Sequence, residues 1–324
     1  MRKTLWFVAV VSCLGALALA ALPPEKDIQG MYAGTWTDAK GAKGTIEARV
    51  VALGDYAFKV YLYLKDEAGK QVRKVVADAK RQGDALPVQG GGCRGSIAGG
   101  VLEATIEGGC KLQAKRFIPK SPTLGKKPPE GAIVLLDGKN FDEVVFARGN
   151  RSAPPSEWKP LPDGSIVVPK GGFRSKRAFS GSYDLHVEFM CNFKPKARSQ
   201  GRGNSGVFLN CGQEIQVLDS FGMTTYKGGG CGGLYKWKNP DAFDEFSLAS
   251  YPPLVWQTYD IEYRVSRGPD GRPLKPRLTV YHNGIKIHEN VELRRNDRRG
   301  QLFFQDHGNP IRYRNIWVLP LGGK

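Results

Sequence analysis

The segment from Glu214 to Asp219 carries two carboxyl groups and an amide at a spacing that could do chemistry. Side chains alternate along a β-strand, so Glu214 and Gln216 share one face while Ile215 and Val217 share the other. The β-branched pair would enter a core, which leaves Glu214 and Gln216 in an open polar groove. A carboxylate in that position can remove a proton from a bound molecule as a general base. We therefore predict Glu214 as a catalytic residue.

Asp219 lies five residues after Glu214 and would point to the opposite face of a regular strand. A β-bulge between them would bring both carboxyl groups to one face, because one extra residue re-aims the side chains beyond it. We expect such a bulge and predict Asp219 as a second catalytic residue. The alternative is that Glu214 is a solvated sheet-face carboxylate, paired with one of the many Arg or Lys side chains.

Two regions of short alternating apolar and polar runs would supply the strands that position these groups. Residues 27–118 contain six runs separated by turn clusters, a pattern typical of a small antiparallel β-barrel or β-sandwich. Residues 132–322 contain about ten more and lack helical periodicity, which predicts an all-β, two-sheet jelly-roll sandwich. The Asn283-Gly284 pair predicts a type I′ hairpin. Proline-rich residues 119–131 indicate an extended linker.

The predicted strands fall as follows. They are 33–37, 44–52, 56–64, 72–77, 96–106 and 111–117 in the first region, and 132–136, 165–168, 183–191, 205–210, 214–218, 258–265, 275–282, 285–289, 300–305 and 311–320 in the second. The first region has few candidate catalytic groups. We interpret it as a binding or packing module, or as a unit that only shields or positions its neighbour.

Six blocks of the second region carry a resemblance to a known family. They are, in order, 135–139, 203–209, 214–219, 232–235, 256–261 and 302–316. These blocks resemble the 3-keto-disaccharide hydrolase domain, a family with a concanavalin/laminarinase-like fold, whereas residues 1–130 do not. The chain departs from the family at 254–257, where Leu-Val-Trp-Gln replaces Gly-Glu-Trp-Asn, and at Asn210, where the family commonly has Arg.

The resemblance implies cleavage of 3-keto-glycosides or related glycosides, by hydrolysis or by elimination and hydration. A ketone at C3 acidifies the C2 proton, so one carboxylate base can remove it and expel the C1 substituent. In these implied roles Glu214 is the base, and His307 or Asp219 protonates the leaving oxygen. The candidate hydrogen-bond donors to the enolised oxygen are Asn204, Gln216 and Lys236.

The segment is also similar to the laminarinase pattern Glu-x-Asp-x-x-Glu, in which a bulge aligns the acids. Two carboxyl groups about 5–5.5 Å apart suit a retaining glycosidase, with one as nucleophile and the other as acid/base. In this chain the middle acid is Gln216 and the last is the shorter Asp219, so the reach to a glycosidic oxygen differs.

The matched blocks supply four further predicted substrate contacts, namely Tyr235, Trp256, Gln305 and Asp306. Trp256 could stack on a sugar ring or pack in an aromatic core. Asp306 and His307 lie in a turn sequence, where Asp306 could instead cap the backbone.

Five cysteines follow the N-terminal apolar run, and close pairs form disulfides in an oxidising compartment. We predict a Cys93–Cys110 bridge across a hairpin and a Cys211–Cys231 bridge beside a Gly-rich loop. Cys191 would then be a buried thiol. The chain has no CxxC motif and no Cys/His cluster with metal spacing, so no metal or cofactor is predicted. Calcium, which legume-lectin-like sandwiches often hold through clustered Asp and Asn side chains, is the alternative. The sequence has no compact Asp-rich loop for it, so its ligands would have to come from distant segments.

Residues 1–20 are typical of a secretory signal peptide, with Arg2 and Lys3 before an apolar run and a small-residue cleavage site at 18–20. We therefore expect a secreted or periplasmic protein; a bacterial lipoprotein acylated at Cys13 is the alternative. No later segment approaches the ~20 apolar residues of a membrane helix.

The formal net charge of +17 favours polyanions such as sulfated or uronic polysaccharide or an anionic envelope, or is simply a solvated basic coat. Because the charge is spread along the chain without a nucleic-acid motif, we predict a carbohydrate partner and no nucleic acid. Besides an enzyme, a non-catalytic lectin-like module and an envelope or matrix scaffold remain open. The altered block at 254–257 favours the lectin, and the carboxylate motif favours the enzyme. The oligomeric state is not predicted.

Overall fold

A computed structural model describes residues 22–146, 158–222, 226–241 and 249–322. The predicted signal peptide and Cys13 lie outside the described residues. None of the helices in the described ranges is long and apolar enough to cross a membrane.

The N-terminal region is an antiparallel barrel of eight strands, in which β8 pairs back with β1. Helix α1 (Glu25–Ile28) precedes β1 (Gly30–Thr37), β2 (Lys43–Gly54), β3 (Ala57–Lys65), β4 (Gln71–Lys80), β5 (Pro87–Gly90), β6 (Cys93–Ala98), β7 (Val101–Ile106) and β8 (Cys110–Phe117). The sequence predicted six strands and missed β5. The predicted strand 96–106 is two strands, because Gly99 and Gly100 turn the chain with φ of 56° and 75°.

The C-terminal region is all-β, as predicted, and consists of two packed sheets. Its strands are β9 (Ile133–Leu136), β10 (Val144–Phe146), β11 (Ile166–Val167), β12 (Phe173–Ser175), β13 (Tyr183–Met190), β14 (Asn204–Phe208), β15 (Glu214–Leu218), β16 (Gln257–Arg264), β17 (Arg277–His282), β18 (Ile285–Glu292), β19 (Phe303–Phe304) and β20 (Arg312–Pro320), with a 3₁₀ turn at Ser199–Gly201. The sequence missed the short strands β10 and β12.

The five-stranded sheet has the order β10-β12-β19-β14-β15. The seven-stranded sheet has the order β11-β20-β13-β16-β17-β18, with β9 also paired to β20. The predicted Asn283-Gly284 hairpin is confirmed: both residues have positive φ, 51° and 78°, and His282 pairs with Ile285 across the turn.

Aromatic rings from both sheets fill the space between them. Phe173 and Phe304 of the five-stranded sheet stack at 4.6 Å between ring centres, and Tyr313 of the opposite sheet meets Phe304 edge-on at 5.5 Å. Ile215 and Val217 are fully buried in the same core. Because side chains alternate along β15, its remaining side chains face the outside of the five-stranded sheet.

The segment predicted as a linker is fixed to the outer face of the seven-stranded sheet. The hydroxyl of Thr123 donates to Asp260 at 2.6 Å, and the backbone N–H of Gly125 donates to Glu188 at 2.6 Å. His186 lies between the same two carboxylates, 2.9 Å from Asp260 and 3.5 Å from Glu188. The proline-rich segment is therefore anchored through a buried charged network.

The barrel packs against the loop that follows β15. Val51 and Met31 of the barrel form a buried apolar cluster with Phe221. The guanidinium of Arg49 lies 5.9 Å from the centre of the Phe221 ring, and the Tyr61 hydroxyl donates to the carbonyl of Gly222 at 3.5 Å. The first region therefore contacts the part of the sandwich that carries Glu214 and Asp219.

Neither predicted disulfide is present, and all five cysteines in the described residues are buried free thiols. Cys93 pairs with Ile106 on β7, and Ile106 pairs in turn with Cys110 on β8. A whole strand therefore separates the two cysteines by about 9–10 Å, beyond the ~7 Å limit for a disulfide.

The Cys211–Cys231 prediction fails for a similar reason. The Cys231 thiol contacts the Tyr259 hydroxyl at 3.1 Å, whereas Cys211 lies near Tyr263. These tyrosines lie four positions apart on β16, which is about 13 Å along a strand.

Candidate active site

Glu214 opens β15, which has paired backbone on both sides. On one side β14 places Phe208 opposite Glu214. On the other side the Gly-rich segment 232–235 continues the hydrogen bonding: the N–H of Gly232 donates to the carbonyl of Gln216 at 2.8 Å, and the N–H of Tyr235 donates to that of Glu214 at 3.2 Å. Glu214 is therefore held on a rigid element rather than on a loop.

The Glu214 side chain lies over Gly206 of β14. A methyl group at Gly206 would lie 2.3 Å from the Oε1 atom of Glu214, so the carboxylate can occupy this position only if residue 206 is glycine. Glu214 is 8% exposed. No described residue gives this carboxylate a hydrogen bond or an ion pair. Burial raises the pKa of Glu214 to about 7, against the opposing charge of Lys236.

Two tyrosines and a lysine form one side of the site. The Tyr226 hydroxyl donates to that of Tyr235 at 2.8 Å, and the Lys236 ammonium lies 5.5 Å from the centre of the Tyr235 ring. Burial, the bond to Tyr235 and the nearby charge of Glu214 all raise the pKa of Tyr226. Lys236 is exposed, with a φ of 56°. Its positive charge lowers the pKa of the Glu214 carboxyl.

Three amides form a closed cluster behind Glu214. The Asn204 amide donates to the carbonyl and to the Oε1 atom of Gln200 at 2.9 and 3.2 Å, and the Gln216 amide donates to the same Oε1 at 2.8 Å. The predicted donors Asn204 and Gln216 are thus occupied, and their own side-chain carbonyl oxygens are buried without a partner among the described residues. Of the three predicted oxyanion donors, only Lys236 has N–H groups without a hydrogen-bond partner in the part of the chain that the structure describes.

The opposite side of Gly206 is formed by the chain after β19. The N–H of Gln305 donates to the carbonyl of Gly206 at 2.9 Å. The two carboxylate oxygens of Asp306 accept the N–H groups of Gly171 and Gly308 at 2.9 and 2.8 Å, so Asp306 caps a turn. His307 is exposed on that turn. Gln305 and His307 therefore lie on the strand extension next to Gly206, and Asp306 holds that extension in shape.

A family model described as the 3-keto-alpha-glucoside-1,2-lyase-like domain matches residues 131–319. The chain belongs to this family. A solved structure from Parabacteroides distasonis ATCC 8503, described as a "putative glycosyl hydrolase", is similar to the chain with 32% identity and a TM-score of 0.50. The similarity covers 60% of this chain and 85% of that one. A comparison with curated proteins finds no match.

These two matches support the recognition made from the six sequence blocks and indicate a carbohydrate-active protein. The lyase-like domain covers the sandwich and leaves out the barrel. The barrel contacts this domain through the loop that follows β15.

Asp219 does not join Glu214. The pairing of β14 with β15 runs without a bulge from Phe208–Glu214 to Asn204–Leu218, and the N–H of Asp219 continues it by donating to Gly203 at 2.7 Å. Asp219 instead forms an ion pair with Arg202 at 2.6 Å, with both side chains fully buried. The expected bulge is absent, and Asp219 is a paired carboxylate enclosed in the protein.

Trp256 is not at the site either. Its ring lies beside the guanidinium groups of Arg314 and Arg312, at 4.1 and 5.5 Å. Both arginines project from β20 on the outer face of the seven-stranded sheet, alongside Glu188, which accepts from Arg314 at 2.8 Å. The predicted sugar-stacking tryptophan therefore lies on the opposite side of the sandwich from Glu214.

Tyr226 and Gln200 were not predicted from the sequence. Both lie between strands and outside the matched blocks, where no strand pattern indicates which way a side chain points. Among the residues that the structure describes, no group of three His, Cys, Asp or Glu side chains could hold a metal ion.

Proposed function

We propose that the sandwich cleaves 3-keto-glycosides by elimination across C1 and C2, with Glu214 as the base. One observation carries this proposal: a carboxylate on a rigid strand is buried, unpaired by any described residue, and has its pKa raised to about 7. General bases work best when their pKa lies near the operating pH. A solvated surface glutamate would be neither buried nor raised in pKa.

The proposed reaction balances with one base and one acid. Glu214 takes the proton from C2, which the neighbouring C3 ketone acidifies. The electron pair forms the C1=C2 double bond, the bond from C1 to the leaving oxygen breaks, and that oxygen takes a proton from an acid. Water can then add at C1 while a proton returns to C2, so that the net reaction is hydrolysis.

His307 is the proposed acid, because the other candidate, Asp219, is enclosed with Arg202. Lys236 would stabilise the negative charge that develops on the C3 oxygen. The family description, a 3-keto-alpha-glucoside-1,2-lyase-like domain, supports elimination over a retaining displacement. A retaining displacement needs two acids on one face, and among the described residues no second carboxylate joins Glu214 there. The N-terminal sequence supports action outside the cytoplasm.

The pH profile tests this function. With 3-keto-trehalose as substrate, kcat/KM should fall about tenfold per pH unit below pH 7, because only ionised Glu214 can accept a proton. It should fall again at high pH, where the acid that protonates the leaving oxygen has lost its proton. Lys236→Met removes the cation that lowers the pKa of Glu214, so the acidic side of the pH profile should move to higher pH. A profile that is flat from pH 5 to 9, or no turnover of 3-keto-α- or 3-keto-β-glucosides, contradicts the proposal. Sugar binding without turnover would favour the lectin.

Gly206→Ala should lower kcat by roughly 10–100-fold, since a misplacement of about 1 Å can have an effect of that size. The added methyl group would overlap the Glu214 carboxylate and displace it. The control is the same substitution in a Glu214→Asp background, where the shorter side chain leaves room for the methyl group. A double-mutant cycle measures the coupling. Equal losses in both backgrounds would show that Gly206 acts elsewhere.

A further inference from the structure

A second groove continues the outer face of the five-stranded sheet beside Glu214. It has a volume of about 450 Å³, and its walls include Phe208, Phe303 and four arginines. Phe208 pairs directly with Glu214 across β14 and β15, and Phe303 pairs with Phe208 from β19. Directly opposed residues lie about 4.5–5.5 Å apart. The groove therefore begins about one sugar ring away from the proposed base.

The arginines of the groove are Arg174, Arg295, Arg298 and Arg299, and no carboxylate is among its lining residues. Within the described ranges none of the four forms an ion pair with an acidic side chain. Arg298 donates to the backbone carbonyl of Asn210 at 3.4 Å, and to no other described residue. They differ in this respect from Arg177, Arg264 and Arg312, which pair with acidic residues.

Two of the arginines converge on one point. A methyl group at Gly212 would lie 2.9 Å from a guanidinium nitrogen of Arg295 and 3.0 Å from one of Arg298, so these nitrogens lie at most about 6 Å apart. Like charges this close repel each other, and an anion held between them would remove the repulsion. Guanidinium groups match carboxylate and sulfate oxygens in a forked geometry.

The floor of the groove is aromatic. The rings of Phe208 and Phe303 lie 5.3 Å apart and are half-buried, and the guanidinium of Arg174 lies 4.6 Å from the centre of the Phe303 ring. A half-exposed aromatic floor offers packing surface to the apolar face of a sugar ring. Aromatic rings beside unpaired guanidinium groups would recognise a ring that also carries a negative charge.

We propose that this groove is a subsite for an anionic sugar residue, one whose ring carries a carboxylate or a sulfate ester, next to the sugar that is cleaved. The proposal rests on the function assigned to Glu214 and adds the substrate class. It makes the protein an enzyme of acidic glycans. Part of the positive charge of the chain would then bind substrate at a defined site, namely the arginines that line this groove.

Binding to the Glu214→Gln protein tests the subsite without turnover. Calorimetry would compare oligogalacturonate as the uronate probe, a chondroitin sulfate oligosaccharide as the sulfate probe, and a neutral malto-oligosaccharide of equal length. At least one acidic probe should bind at least tenfold more tightly than the neutral one. The Arg295→Ala/Arg298→Ala double variant should weaken that binding at least tenfold.

The control is Arg267→Ala/Arg272→Ala, which removes the same charge from the loop between β16 and β17 and should change binding by less than twofold. Three results would overturn the subsite. They are equal losses in the two double variants, equal binding of the neutral probe, and equal binding of a single-stranded DNA of matched charge.

Arg299→Glu gives a second variant of the groove, at an exposed position. Turnover of 3-keto-trehalose by the wild-type protein separates the subsite from the proposed reaction. If the protein turns over this substrate but does not prefer the acidic probes, the subsite alone is refuted. If it prefers the acidic probes but shows no turnover, the proposed reaction alone is refuted.

Discussion

Glu214→Gln is expected to lower kcat on 3-keto-trehalose by about 10²–10⁴-fold, the usual contribution of a general base. The amide has the same shape and keeps the contact with Gly206, but it cannot accept a proton. Glu262→Gln is the matched control, since this carboxylate lies on the outer face of the seven-stranded sheet with its side chain 43% exposed. Activity within tenfold of wild type, or an equal loss in the control, would remove Glu214 from its role.

The same substitution should change how stability depends on pH. The folded-state pKa of Glu214 is about 7, above its ordinary value of 4.5, so the folded protein holds a proton that the unfolded chain has released. The contribution of this group to the free energy of unfolding is fully present below pH 4.5 and is lost as the pH rises through 7. The loss is about 3 kcal/mol, from 1.36 kcal/mol for each unit of pKa shift. Urea unfolding at pH 5 and pH 8 should show this loss in wild type and not in Glu214→Gln.

Local alternation predicted the core face of β15 correctly, and non-local contacts explain the errors around it. The burial of Ile215 and Val217 follows from their positions on one strand, which any strand partner preserves. The side chain of Asp219 depends on Arg202, which precedes a different strand and is adjacent only after β14 and β15 pair. No local pattern distinguishes a bulge from a buried ion pair at this position.

The other errors have the same origin. The disulfide prediction treated residues 94–109 as one hairpin, although an additional strand, β7, separates the cysteines. Trp256 follows a loop, so the sheet face it joins is set by Arg312 and Arg314 from the far end of the chain. The arginines at 295–299 appeared in the sequence as part of a diffuse charge. Their position beside Phe208 and Phe303 became visible only when β19 paired with β14.

Arg202→Met is expected to destabilise the sandwich by about 3–5 kcal/mol, because it leaves the Asp219 carboxylate buried without a partner. The two side chains also hold the chain that leaves β15. Asp219 accepts the N–H of Phe221 at 3.3 Å, and Arg202 donates to the carbonyl of Phe221 at 3.5 Å. Phe221 in turn packs on Val51 of the barrel. Loss of the ion pair should therefore weaken the contact between barrel and sandwich as well.

Denaturant unfolding of matched variants separates a structural role from a catalytic one. Arg202→Met/Asp219→Asn should regain most of the lost stability, because no unpaired charge remains buried. Arg177→Met removes one partner of an exposed pair with Glu143 and should have an effect below about 1 kcal/mol. If the double variant folds and keeps its turnover of 3-keto-trehalose, Asp219 is not the acid and the proton comes from another group, for which His307 is the candidate. If stability returns but turnover does not, the carboxylate of Asp219 acts in the reaction after all, and the enclosed ion pair must open during catalysis.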